Sequence, residues 1–161
     1  MIDDAIVVAT LVTALASSVV GGVFFGFSTF VMKALARLPA EGGIAAMQSI
    51  NIVVITPWFM IPFVGTAAMS MLLGAAGLFG WGDFNRVLLV VGAVLYVVGV
   101  FGVTVAFNVP RNEALAAIDA GSPNGASQWA RFVPGWTAWN TVRTAGALAS
   151  AATLTVALIT E

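Results

Sequence analysis

The sequence predicts an all-α fold, a bundle of four transmembrane helices with short amphipathic helices in the first and third connections. Composition is the first observation behind this prediction: 60% of the 161 residues are hydrophobic and only 8% are charged, whereas about a quarter of the residues of a soluble domain are charged. The second is the presence of four long apolar stretches, each near or above the roughly 20 residues that cross a bilayer. The chain therefore reads as an integral membrane protein.

The predicted spans cover residues 5–32, 57–79, 86–107 and 136–160 of a single domain, 1–161. The first span has a phenylalanine cluster near its end, Phe24, Phe25, Phe27 and Phe30, which fills the sides of the helix or lines a cavity there. It also carries a small residue at every fourth position, a pattern that lets helices pack closely. This small-residue face comprises Thr10, Ala14, Ser18, Gly22 and Gly26.

Two connections contain further predicted helices. In the first, Ile44, Met47, Gln48 and Asn51 share one helical face. A short polar turn at 80–85 makes the second and third spans antiparallel neighbours.

The third connection is the longest segment between spans. Pro110 biases Val109 away from the α conformation, which predicts that the third span ends there. A short helical stretch at 113–120 follows. Ser127 is a candidate cap for a helix that carries Gln128, and Pro134 then leads into the fourth span.

Cationic residues predict the orientation. Five of the six lie in or beside the first and third connections, and Arg86 lies on the opposite side. Because cytoplasmic loops carry the excess of Lys and Arg, we expect both connections to be cytoplasmic, both termini to face outward, and the plasma membrane of a bacterial-type cell to be the location. The five are Lys33, Arg37, Arg111, Arg131 and Arg143.

Several functions are excluded by composition. The chain has no cysteine and no histidine, which removes thiol nucleophiles, Cys/His zinc sites and histidine-ligated haem. We predict neither a metal site nor a cofactor. A net charge of −1 argues against nucleic acid as a partner. Asp3 and Asp4 stand where a signal peptide would carry positive charge.

The predicted topology brings polar side chains from the first connection, the end of the third span and the start of the fourth span to one membrane interface. An arginine placed one or two turns inside a span needs a partner or water, and Asn108, Asn140 or a carboxylate such as Glu113 could supply one. The candidate polar junction comprises Gln48, Asn51, Asn108, Arg111, Asn112, Asn140 and Arg143, under an aromatic roof of Trp58, Trp129, Trp136 and Trp139.

Three interpretations of this junction remain open. Trp136 and Arg143 can act as an interfacial anchor with a snorkelling cation. The polar groups can form a hydrogen-bond network that only ties helix ends together. They can also form a polar pocket under the aromatic roof.

Four strings in this order resemble the anthrone-oxygenase-like family of small four-helix membrane proteins: 27–32 (FSTFVM), 47–51 (MQSIN), 107–112 (FNVPRN) and 136–144 (WTAWNTVRT). The family is largely a domain of unknown function, and a few relatives are associated with the oxidation of anthrones without metal or flavin. The resemblance implies a shared polar signature at Asn108, Asn112, Trp139, Asn140 and Arg143.

The resemblance also implies a histidine, a natural base for deprotonating an anthrone, at the position of Thr141. Threonine cannot take a proton at neutral pH, and the chain has no histidine elsewhere. If the chemistry is retained, Asn140 and Arg143 would stabilise the anionic substrate, and a carboxylate would have to act as the base.

Two functions from different classes follow. One is a cofactor-independent oxygenase of a lipophilic aromatic molecule. The other is a non-catalytic accessory subunit or lipophile-binding membrane protein, with lipid, a membrane-protein partner or a second copy on its small-residue helix faces. An ion-coupled transporter is disfavoured because the span cores contain no acidic residue.

Overall fold

Five helices build the part of the chain that the computed structural model describes, residues 2–82 and 84–160. These are α1 (Ile2–Leu35), α2 (Ala40–Val53), α3 (Pro57–Phe79), α4 (Arg86–Ala116) and α5 (Gly125–Ile159). All of them except α2 are long and apolar enough to cross a membrane. The predicted all-α membrane fold with four spans is therefore confirmed.

The turn between α3 and α4 is specified by local sequence. α3 ends at Gly80 in the left-handed conformation, with φ of 69°, which glycine adopts without the steric cost of a side chain. α4 starts after Asn85, whose side chain accepts a hydrogen bond from the Leu88 backbone N–H at 3.3 Å. Asp83 of the predicted polar turn lies outside the described residues.

Apolar side chains fill the bundle in three clusters along its length. The first holds residues near the α1 start and the α5 end, such as Ile6 and Leu154. The second occupies the middle, around Tyr96 and Ala147. The third lies under α2 and includes Ile44 and the buried ring of Trp136. The core thus extends from the α3–α4 turn to the end of the bundle that α2 covers.

Hydroxyl groups join the spans by direct bonds to backbone carbonyls. Ser17 Oγ of α1 donates to Ala147 O of α5 at 2.8 Å. Ser150 Oγ of α5 donates to Gly92 O of α4, also at 2.8 Å. Such bonds replace water as the partner of a polar group in lipid, and they set the distances between neighbouring helices.

The predicted end of the third span near Pro110 is wrong, because α4 continues through the proline to Ala116. Val109 is helical, with φ of −58° and ψ of −51°. The preceding turn, Thr104–Asn108, is a wider π-helical turn in which the Val109 N–H donates to Thr104 O, five residues back. A second π-helical turn covers Val97–Gly102. Such local widening rearranges the carbonyls that a proline would otherwise meet.

The predicted helix start at Ser127 and the separation at Pro134 are also wrong. α5 starts at Gly125 and runs without interruption through Pro134. Ser127 Oγ donates to Asn124 O at 2.9 Å from within the first turn. Trp129 and Trp136, on either side of the proline, are both buried in the cluster under α2. Packing on both sides therefore holds the two segments on one axis.

The predicted small-residue face of α1 is only partly internal. Thr10 and Ala14 are buried, but Ser18 and Gly22 are exposed. The packing face continues instead through Ser17 and, about one turn later, Gly21. A Cβ added at Gly21 would lie 3.0 Å from a methyl carbon of Leu148. A stripe of every fourth residue drifts by about 40° per step around a helix of 3.6 residues per turn, so it leaves the interface after two or three steps.

Candidate functional site

α2 lies across one end of the bundle and is fixed there by two contacts. Gln48 Nε2 donates to Leu115 O and Ile118 O, both at 2.9 Å. Leu115 lies at the end of α4, where its O also accepts from the Ile118 N–H at 3.1 Å, and Ile118 lies just beyond that end. Gly43 faces the indole of Trp129 so closely that a Cβ would lie 2.7 Å from it. α2 is thereby attached to both α4 and α5.

Beneath α2 lies a cavity of about 230 Å³ to which all five helices contribute. Aromatic rings supply much of its wall, and aliphatic side chains most of the rest. The aromatic residues are Phe24, Phe27, Phe59, Phe63 and Trp136. The polar lining residues are Asn51, Thr104, Asn112 and Arg143.

Arg143 projects into this cavity from α5 and is only 6% exposed. Its Nη1 donates to Thr104 Oγ1 at 3.2 Å and its Nη2 to Asn140 Oδ1 at 2.7 Å. The guanidinium carbon lies 4.1 Å from the Phe24 ring centroid and 5.4 Å from that of Trp136, within the range of a cation–π interaction. The Nε atom is buried and has no hydrogen-bond partner.

The charge of Arg143 is not matched by an acid in the cavity wall. Among the lining residues, all of which lie in the described part of the chain, none is acidic. Both hydrogen-bond acceptors of the guanidinium, Thr104 and Asn140, are neutral. An arginine inside a membrane costs about 2.5–3.5 kcal/mol on insertion scales. The cavity is therefore electropositive, and an anion would complete its charge balance.

Asn140 holds the guanidinium in place from below. Its side chain is fully buried, and its Nδ2 donates to Phe24 O and Ser28 Oγ, both at 2.7 Å. Because these bonds orient the amide, its Oδ1 faces Arg143 as an acceptor. Ser28 belongs to a π-helical turn of α1, Phe27–Val31. A widened turn of α1 thus helps to position the cation on α5.

A second polar contact joins α4 to α5 beside the cavity. Trp136 Nε1 donates to Asn112 Oδ1 at 2.7 Å, which fixes the indole in the cavity wall. Asn108 is buried, and its Nδ2 lies 3.4 Å from Trp136 O. Its Oδ1 is buried without a partner.

Seven of the eleven sequence-predicted residues do not line the cavity, and Trp58, Trp139 and Arg111 are three of them. Trp58 is 92% exposed at the start of α3, where an amphipathic ring suits the membrane interface. Trp139 stacks on Phe107, with ring centroids 3.6 Å apart and planes at 4°. Arg111 Nη1 donates to Phe107 O at 2.7 Å.

The structure thus divides the predicted junction into groups with different surroundings. Asn51, Asn112, Trp136 and Arg143 line the cavity. Asn140 contacts Arg143 from behind, and Asn108 contacts the Trp136 backbone. Gln48 and Trp129, the latter predicted as part of the roof, fasten α2. Hydrogen-bond network and cavity therefore occur together at this end of the bundle.

Residues that the sequence did not single out complete the site. Phe59 and Phe63 stack on each other at 5.7 Å and line the cavity from α3. Thr104 accepts a hydrogen bond from Arg143, and Ser28 accepts one from Asn140. No spacing in the sequence marks these four, because their roles depend on which helix each one faces.

Thr141 lies away from the cavity. It is exposed, its Oγ1 is 3.0 Å from Ser28 Oγ, and it donates to Thr137 O at 2.9 Å. It is not among the lining residues. A side chain at position 141 lies on the opposite side of α5 from Arg143.

The described helices and this cavity define the class: a membrane protein of four spanning helices with a buried cation in an apolar cavity at one end. Residues 57–153 match the sequence profile of the family described as anthrone oxygenase. This match covers more than half of the chain, and the protein belongs to that family. No curated protein and no solved structure matches the chain.

Proposed function

We propose that the protein binds a lipophilic aromatic molecule in the cavity beneath α2 and oxidises it with molecular oxygen, as an anthrone oxygenase. Membership of the family supports the reaction class. The observation that carries the proposal is Arg143, a buried guanidinium whose Nε has no partner, in a cavity walled by aromatic rings and free of acidic lining residues.

The proposed chemistry needs stabilisation of an anion. An anthrone that loses a proton from its ring methylene becomes an enolate, with negative charge on the oxygen. Arg143 and Asn51 line the cavity, and each has a buried donor without a partner, Nε and Nδ2 respectively. Pre-placed donors of this kind stabilise a developing oxyanion strongly in apolar surroundings.

The remaining steps balance without a further reductant. The enolate carbon gives an electron pair to O₂ and becomes a peroxide, which takes up a proton and loses water to leave the quinone. The carboxylate base expected from the sequence is not among the cavity-lining residues that the structure describes. In the proposed mechanism water therefore accepts the proton, and the guanidinium lowers the free energy of the enolate enough to permit this.

Oxygen consumption by the purified protein with an anthrone tests the proposal. We expect Arg143→Gln to lower kcat by about 10²–10³-fold, the usual effect of losing one oxyanion donor. Arg131→Gln is the matched control, because Arg131 is exposed and does not line the cavity. A wild-type rate no faster than spontaneous oxidation would contradict the proposal, as would equal losses in both variants.

The alternative is a lipophile-binding protein without turnover. One observation favours it: no side chain in the cavity wall can accept a proton at neutral pH. Binding of an anthrone with a defined stoichiometry, combined with only the spontaneous rate of oxidation, would support this alternative.

A further inference from the structure

The cavity is smaller than the sites that enclose whole drug-sized ligands. Its volume is about 230 Å³, whereas such sites measure roughly 300–1,000 Å³. An apolar cavity of about 150 Å³ is large enough for benzene. One ring or two fused rings can therefore be enclosed beneath α2, and any larger molecule must protrude.

The route by which a ligand protrudes is apolar. Among the lining residues, those that are also exposed at the molecular surface are Val23, Ile55 and Val109. Polar and charged lining residues are half-buried or buried. The exposed part of the cavity lining is thus aliphatic, and its polar residues are more buried.

The surface beside this opening is also apolar. Ile52 and Val53 at the end of α2 and Trp58 at the start of α3 lie on either side of Ile55 in the sequence, and all three are strongly exposed. Where a spanning helix begins, such apolar and indole side chains lie in the membrane interface, in contact with lipid. The opening therefore leads sideways into the bilayer.

The hydrogen-bonding groups inside the cavity determine which polar group the enclosed end of the ligand carries. Two of the lining residues have a buried side-chain nitrogen without a partner, which is Nε in Arg143 and Nδ2 in Asn51. Both donate hydrogen bonds, and neither can accept one. The group that meets them must be an acceptor, and the unmatched guanidinium charge favours an anionic oxygen.

We infer that the ligand is an aromatic oxyanion with a hydrocarbon chain: one or two rings lie in the cavity with the oxygen on Arg143 and Asn51, and the chain passes beside Ile55 into the lipid. This inference rests on the proposed function, since it assigns a ligand class to the same cavity. It adds that the ligand enters from the bilayer and is never fully enclosed.

Photolabelling of the protein in lipid nanodiscs tests this inference without requiring turnover. The probe is 2-naphthoate with a ten-carbon chain on the ring distal to the carboxylate, ending in a diazirine. We expect labelled residues to concentrate in stretches 19–27 and 52–59. An excess of 2-naphthoate without the chain should displace the probe, because it occupies the same ring site.

Two pairs of variants complete the design. Ile55→Trp narrows the opening and should lower specific labelling about tenfold, whereas Ile61→Trp should leave it unchanged. Ile55 and Ile61 are both 70% exposed, but only Ile55 lines the cavity. Arg143→Gln should lower labelling at least about tenfold, the effect of losing a charged hydrogen bond, and Arg131→Gln should not.

The outcomes distinguish a failure of this ligand inference from a failure of the proposed oxygenase function. Labelling spread evenly over lipid-facing helices, or equal loss in both Trp variants, would overturn the inference even if anthrones are oxidised. Focused, displaceable labelling without anthrone oxidation would support the inference and reject the oxygenase. Ile55 lies at the surface, so its variant tests the opening even if Arg143→Gln fails to fold.

Discussion

At the scale of single residues, Arg143 is tolerated inside the bundle because its charge is partly satisfied. Neutral acceptors on two helices, Thr104 Oγ1 and Asn140 Oδ1, take up two of its donors, and the ring faces of Phe24 and Trp136 attract the cation. Each hydrogen bond between a charged group and a neutral acceptor contributes about 1.5–3 kcal/mol. This is comparable to the cost of inserting an arginine into the membrane, about 2.5–3.5 kcal/mol. These contacts offset the cost without cancelling the charge, so the cavity stays attractive to an anion.

An internal carboxylate at position 140 would remove that attraction. Asn140→Asp keeps an acceptor beside Arg143 Nη2 but adds the negative charge that a ligand would otherwise supply. We expect the affinity for 2-naphthoate to fall at least about tenfold, as measured by isothermal titration calorimetry in detergent. Asn124→Asp, on the exposed surface before α5, should have no effect. Unchanged affinity of the Asn140→Asp variant for 2-naphthoate would show that anion binding does not depend on the charge of Arg143.

At the scale of helices, π-helical turns carry the polar groups of α1 and α4 that contact Arg143, Asn140 and Trp136 on α5. Phe27–Val31 of α1 carries Ser28, and Thr104–Asn108 of α4 carries both Thr104 and Asn108. Widened turns of this kind are rare and occur often at functional sites. Their position next to the same arginine links the local irregularity of both helices to the cavity.

Neighbouring glycines of α1 allow a matched test of helix packing. Gly21 faces α5, where a Cβ would lie 3.0 Å from Leu148 and 3.2 Å from Ala147, whereas nothing lies within 4 Å of a Cβ at Gly22. Gly21→Leu should therefore destabilise the bundle by about 1–3 kcal/mol through overpacking, and Gly22→Leu by less than about 0.5 kcal/mol. Reversible unfolding in mixed micelles measures both.

Crosslinking in native membranes adds a second readout to this pair. Gly22 and Ser18 face outward, so we propose the outer small-residue face as the place where a partner or second copy would bind. Loss of a crosslinked species in Gly22→Leu with unchanged stability would support that proposal. Equal destabilisation by both leucines would contradict the assigned packing face.

At the scale of the whole molecule, the fold concentrates cations at the end that α2 covers. Arg86 starts α4 at the opposite end, beside the turn to α3. We propose from this distribution that α2 and the α4–α5 connection face the cytoplasm and that both termini face outward in the plasma membrane.

The absence of cysteine in the chain makes the orientation easy to measure. Asn124→Cys, in the α4–α5 connection, should react with a membrane-impermeant maleimide only in inside-out vesicles. Thr160→Cys, just beyond the end of α5, should react only from the outside of intact cells. The reverse pattern would mean that the positive-inside rule fails for this protein.

Local sequence determines much of the fold but not all helix ends. Hydropathy predicts the four spans because lipid leaves the backbone few alternatives to helix. Local preference predicts a helix end at both Pro110 and Pro134, but both helices continue. A widened π-helical turn precedes Pro110 in α4, and buried tryptophans pack on both sides of Pro134 in α5. The face of α1 that packs inward also escapes a strict four-residue pattern.

By itself, the sequence determines that this protein is a four-span membrane bundle of the anthrone oxygenase family, with amides, indoles and an arginine gathered at one end. Only the tertiary structure decides which of these groups share a cavity. Asn51, Asn112, Trp136 and Arg143 meet there, while Trp58 and Trp139 do not. The physical reason is that composition and spacing set the depth of a side chain along the bundle axis, whereas its direction around that axis depends on how the helices pack.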